Sequence, residues 1–136
     1  MPTTPKQAIY AALSADAQLA TSGYLGDLLN HRSQSPYGVY YHHPPEVPDF
    51  PLITYYKVSA AGSMPREELW NFTVWANNFE AIHERIHALL HKQLLTSDSQ
   101  VYIVNLLWRW EGPEVFDEDY NIYTQVQQYV NKGVKI

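Results

Sequence analysis

His83-Glu84-Arg85-Ile86-His87 matches H-E-x-x-H, a pattern that sets two imidazoles one helical turn apart to hold zinc, with a carboxylate beside them to deprotonate a water. His91 extends the row by a further turn. The chemistry would be metal-assisted hydrolysis, and several features oppose it. Arg85 puts a cation between the two ligands. His91 lacks the spacing of the longer H-E-x-x-H-x-x-G-x-x-H form, and no second helix follows to supply a glutamate. With six histidines in the chain, so short a pattern arises readily by chance. The plainer reading makes Glu80, Glu84, His87 and His91 the polar flank of a helix. A zinc hydrolase built on His83, Glu84 and His87 stands as the alternative to a non-enzymatic protein.

The remaining clusters are weaker. His42 and His43 are adjacent, so on a strand they point to opposite faces and do not chelate together. Glu111, Glu114, Asp117, Glu118 and Asp119 lack the alternating oxygen ligands and central glycine of a calcium loop, and read as solvated charge. No glycine-rich phosphate loop, serine elbow or paired-carboxylate framework is present. No catalytic residue, cofactor site or metal ligand is expected.

The HERIH segment sits on the best helical signal of the chain. Asn77 or Asn78 can cap it, and Phe79, Ile82, Ile86, Leu89, Leu90 and Leu94 form an apolar stripe at periods of three and four. An earlier helix is signalled by Thr4 as cap, Pro5 at the first position, and Ala8, Ile9 and Leu13, with a short turn over Asp16–Leu19 behind it. Residues 33–51 form a long loop rich in Pro, Tyr and His, strand-like only at Val39–His42. Leu52–Ser59 and Glu68–Ala76 read as strands joined by a flexible loop over Ala60–Pro65, with Trp70, Phe72, Val74 and Ala76 on one side. Val101–Trp110 and Tyr120–Val130 close the chain, followed by a short tail over 131–136. On them Tyr102, Val104, Leu106, Trp108 and Trp110 share one face, as do Tyr120, Ile122, Val126 and Val130.

The order α-β-β-β-α-β-β predicts an α+β domain. Its sheet is mostly antiparallel or mixed, of about four to five strands, with two helices packed on one face. Asn121, Tyr123, Gln125, Gln127 and Tyr129 then occupy the uncovered face, where Tyr123, Gln125, Gln127 and Tyr129 suit a neighbouring subunit.

A chain of 136 residues fits one domain with one core, and hydrophobic and charged fractions of 46% and 17% are those of a globular protein. Eleven Tyr and four Trp exceed what such a core requires and point to an interface. A net charge of −5 with nine Lys and Arg leaves no basic stripe for nucleic acid, although an acidic wall can surround DNA without gripping it. The absence of cysteine excludes disulfides and thiolate chemistry. Without a signal-like start or a long apolar run, a soluble, unprocessed chain with no membrane contact is expected.

Taken together, the pieces resemble the tail-terminator or tail-completion proteins of long-tailed bacteriophages, the group of the lambda minor tail protein U. The resemblance spans nearly the whole chain. It is carried by Ala8-Ile9-Tyr10-Ala11-Ala12-Leu13-Ser14-Ala15-Asp16, by Pro51-Leu52-Ile53-Thr54-Tyr55, by Phe72-Thr73-Val74-Trp75-Ala76 running into Asn78-Phe79-Glu80-Ala81-Ile82, and by Asp117-Glu118-Asp119 leading into Tyr120–Tyr129. It implies a structural virion protein, assembled in the host cytoplasm as a homohexameric ring. The ring docks on the last ring of tail-tube protein, stops its polymerisation and offers its other side to the head-tail connector of the neck. Two loops would then meet other rings or line the lumen through which DNA passes without specific binding. One contains Gly62, Met64, Arg66 and Glu67; the other contains Glu111, Glu114, Asp117, Glu118 and Asp119. Another neck or connector protein is the alternative within the same class.

Overall fold

Helix α1 (Pro5–Ser14) starts where its sequence says it should: Thr4 is extended, its Oγ1 accepts from the Gln7 N–H at 3.3 Å, and Pro5 supplies a preset φ. Ala8, Ile9 and Leu13 are buried. The computed structural model describes residues 4–16, 29, 38–46, 48, 50–60, 68–96, 102–132 and 134–135. The second helix, α2 (Glu80–Leu90), follows Asn78, whose Oδ1 accepts from the Glu80 N–H at 3.2 Å, and it buries Ile82, His83, Ile86 and Leu90. It ends four residues before Leu94, because His91 is extended and Lys92 takes a φ of 60°. Leu94, expected on the helical stripe, therefore begins a strand.

The strands are β1 (Val39–Tyr41), β2 (Leu52–Ala60), β3 (Glu68–Trp75), β4 (Leu94–Thr96), β5 (Tyr102–Glu111), β6 (Val115–Asp117), β7 (Ile122–Asn131) and β8 (Val134–Lys135). The sheet runs β1-β2-β3-β7-β5-β4, with β6 paired to β7 and β8 paired to β5. Only β1 and β2 pair in parallel; the other ladders are antiparallel. The α+β class with a mixed, mostly antiparallel sheet is as expected, but four to five strands is too few. The additional short strands β4, β6 and β8 fall where a helix end, an acidic connector and a tail were expected. Each has three residues or fewer, too short for an alternation to show in sequence.

Both helices lie on one face. Ile9, Leu13, Ile82, Ile86 and Leu90 form a single cluster with Ile53, Tyr55, Trp70, Phe72, Val74, Val104, Leu106 and Tyr129. Tyr55 stacks on Phe72 at 6.1 Å, and Phe72 meets Tyr129 edge to face at 5.3 Å. No helix among the described residues is long and apolar enough to cross a membrane.

Two expectations about faces are corrected here. In β7, Tyr129, Gln127 and Gln125 sit opposite Trp70, Phe72 and Val74 of β3, whose buried side chains face the helices. Cross-strand partners share a face, so these residues point under α2 and not to an uncovered side. Tyr129 is fully buried and Gln127 is 7% exposed. Thr124, Val126 and Gln128 take the helix-free face instead. Both faces of β7 carry apolar residues: the Tyr129 ring fills the core under the helices, while Val126 and Val130 lie on the helix-free face, where Val130 is also buried. In β5 the register shifts between Trp108 and Trp110. The extra residue, Arg109, flips the alternation: Trp108 stays opposite Tyr129 on the helix side, while Trp110 lies opposite Gln128 on the other.

Candidate functional site

The helix-free face carries a chain of side-chain hydrogen bonds that crosses four strands. Asn71 of β3 donates from Nδ2 to the Tyr56 hydroxyl of β2 at 3.3 Å, and its Oδ1 accepts from Gln128 Nε2 of β7 at 2.9 Å. Gln128 Oε1 in turn accepts from Arg109 Nη1 of β5. Beside this ladder Trp75 Nε1 donates to Thr54 Oγ1 at 2.9 Å, within an aromatic group of Phe50, Trp75 and Tyr120. At the opposite end the Trp110 ring is 50% exposed. A side chain at Gly112 would come within 3.0 Å of that ring, so glycine there leaves the indole its place. These side chains fix one another's rotamers, so the surface is ordered before any partner arrives. None of these residues was among the expected contacts, because the expected open face of β7 held Tyr123, Gln125, Gln127 and Tyr129 and so excluded Gln128.

The helix side holds a cleft of about 760 Å³ between the start of α2 and the ends of β5 and β7. His83, Glu84 and His87 of the HERIH segment all line it. Arg85 does not stand between the imidazoles: it turns away and grips Asp16, at the end of α1, through two bonds of 2.6 and 3.0 Å. His83 is 5% exposed with no hydrogen-bond partner on either ring nitrogen. Burial pushes its pKa down to about 4, against the opposing pull of the Glu111 carboxylate, so the ring is neutral at pH 7. His87 stacks on His91 at 4.4 Å, and His91 Nδ1 accepts from the Trp108 N–H at 2.9 Å. Among the described residues no three His, Cys, Asp or Glu side chains converge as a metal-binding group.

The other expected site residues separate. Glu111 and Glu114 line the cleft, and Glu111 Oε1 accepts from Gln127 Nε2 at 2.9 Å. Gln125 also lines it and donates to the Gly112 carbonyl at 3.2 Å. Asp117 caps the turn into β7 by accepting from the Tyr120 N–H at 3.0 Å, while Glu118 and Asp119 are exposed. Tyr123 is 46% exposed and meets Phe116 edge to face at 5.0 Å, so of the proposed contact residues it keeps an open ring. His42 stacks on Tyr56, and His43 Nδ1 donates to the Pro44 carbonyl. Gly62, Met64, Arg66 and Glu67 lie outside the described residues.

No protein-family model matches the sequence, and no curated protein matches it.

Proposed function

We propose that this chain is a structural subunit of a bacteriophage virion. It closes into a ring at the head-proximal end of the tail, ends growth of the tail tube, and meets the head-tail connector. The observation that carries the reading is the helix-free sheet face, with its Tyr56-Asn71-Gln128-Arg109 ladder and half-exposed Trp110. A pre-ordered polar surface with an exposed indole has the character of a protein interface. A head-to-tail contact from that face to a different patch on the next copy closes into a ring when the rotation per subunit allows it.

The contact residues differ from those first expected: Gln127 and Tyr129 belong to the core and the cleft, and Tyr123 remains at the margin. Exposed Glu114, Glu118 and Asp119 supply the acidic character that would let DNA slide through a lumen without specific binding. The sequence resemblance to tail terminators supplies the hexameric count and both neighbours, the tube protein and the neck.

The test is electron microscopy of tail-tube protein polymerised with and without this chain. Tubes of reduced length ending in a ring are expected. Tubes unchanged in length and bare at both ends would overturn the reading. A zinc hydrolase on His83, Glu84 and His87, which line one cleft without a converging metal-binding group among the described residues, is the second reading. Stoichiometric zinc in the purified protein, lost in His83→Ala/His87→Ala, would revive it.

A further inference from the structure

The cleft under α2 has a chemistry of its own. Glu80 and Glu84 stand on its helical wall, Glu111 and Glu114 on the opposite one, and no Lys or Arg among the described residues lines it. The chain's two described arginines are held elsewhere, Arg85 by Asp16 and Arg109 by Gln128. Acidic side chains alone make a solvated rim. Here the floor adds two polar groups that are more than nine-tenths buried and lack partners: the His83 ring at 5% exposure and the Oε1 of Gln127 at 7%. A buried acceptor with no donor is destabilising, so an occupant that donates hydrogen bonds recovers that loss. Trp108, 42% exposed, offers an indole to the same space.

We infer that this cleft binds a guanidinium, the arginine side chain of a basic segment on a partner protein. The geometry favours a fork of donors over a point charge. Gln127 Nε2 already takes one oxygen of Glu111, and the second Glu111 oxygen and the unpartnered Gln127 carbonyl oxygen belong to residues that line the same cleft. Neutral His83 adds an acceptor and no repelling charge. An indole face stacks on a planar cation. A metal ion would need three or more ligands converging on a point, which the described residues do not offer. At about 760 Å³ the cleft admits an arginine with flanking backbone. The site lies on the helix side, away from the ring-forming face proposed above, and does not depend on it.

The test is a titration of the full-length ¹⁵N-labelled chain with acetyl-Gly-Arg-Gly-amide and its Lys and Glu counterparts, following the Trp108 indole and Gln127 side-chain signals. Saturable shifts with the Arg peptide, weaker ones with Lys and none with Glu are expected. Glu111→Gln should weaken binding about tenfold. Glu84→Gln, a change on an exposed helical position, should weaken it severalfold and serves if the first variant misfolds. Absence of saturable shifts at millimolar peptide, an equal response to the Glu peptide, or undiminished affinity in both variants would overturn the proposal. So would zinc bound in the cleft at one per chain.

Discussion

His83 shows how burial converts a titratable group into a pH dependence of stability. Its pKa falls from 6.5 to about 4 through burial, so the folded chain refuses a proton that the unfolded chain accepts. Stability is therefore unaffected above pH 6.5, declines as pH falls through the window from 6.5 to about 4, and is lower by about 3 kcal/mol at its bottom. His83→Leu should flatten that slope without loss of stability at pH 7, because it removes a buried ring with no hydrogen-bond partner. Urea midpoints of both proteins between pH 4 and 7.5 check this.

The Asp16–Arg85 pair makes a second residue-scale claim. The Asp16 side chain is 8% exposed and that of Arg85 is 29% exposed, so Asp16→Ala removes a largely buried carboxylate that takes two guanidinium hydrogen bonds. A loss of about 2 kcal/mol is expected, less than for a fully buried pair because water reaches Arg85. Equilibrium unfolding measures it. The residue types and helical spacing of the HERIH cluster were legible in the sequence. It could not show that Arg85 turns toward α1, since Asp16 lies 69 positions away.

Helix starts were legible to within a residue because their signals are local: Thr4 caps α1 ahead of Pro5, while the N-cap of α2 is Phe79, just past Asn78, whose Oδ1 accepts from the Glu80 N–H. The end of α2 was not, because Leu94 and Leu95 continue an apolar pattern through a backbone break at Lys92. That break puts a side chain in the left-handed region, at φ 60°. Lys92→Gly should raise stability by about 0.5–1 kcal/mol, and Lys92→Val should lower it by at least as much, read from thermal or urea unfolding. The bulge at Arg109 left no trace in residue type either, since Trp108 and Trp110 keep an unbroken aromatic alternation across it. The face of β7 was legible as a period and not as a direction: Ile122, Val126 and Val130 on one side and Tyr123 and Tyr129 on the other are equally able to form a core. Pairing with β3, a long-range fact, decides it.

At the scale of the whole molecule the architecture separates two tasks. One sheet face is sealed by α1 and α2, with a cleft at its margin; the other is crossed by a hydrogen-bonded ladder that ends in an exposed tryptophan. The layer class was readable from element order. The working surface was not, because it depends on which side of β7 the helices cover. Native mass spectrometry of the full chain at tens of micromolar, beside Gln128→Lys, tests the ring most directly. The substitution puts a second cation next to Arg109 in the middle of the proposed contact, while the helix side is untouched. The account predicts a six-copy species for the original chain and monomers for the variant, with circular dichroism and melting temperature retained. A compact dimer, or a six-copy species indifferent to Gln128→Lys, would contradict it.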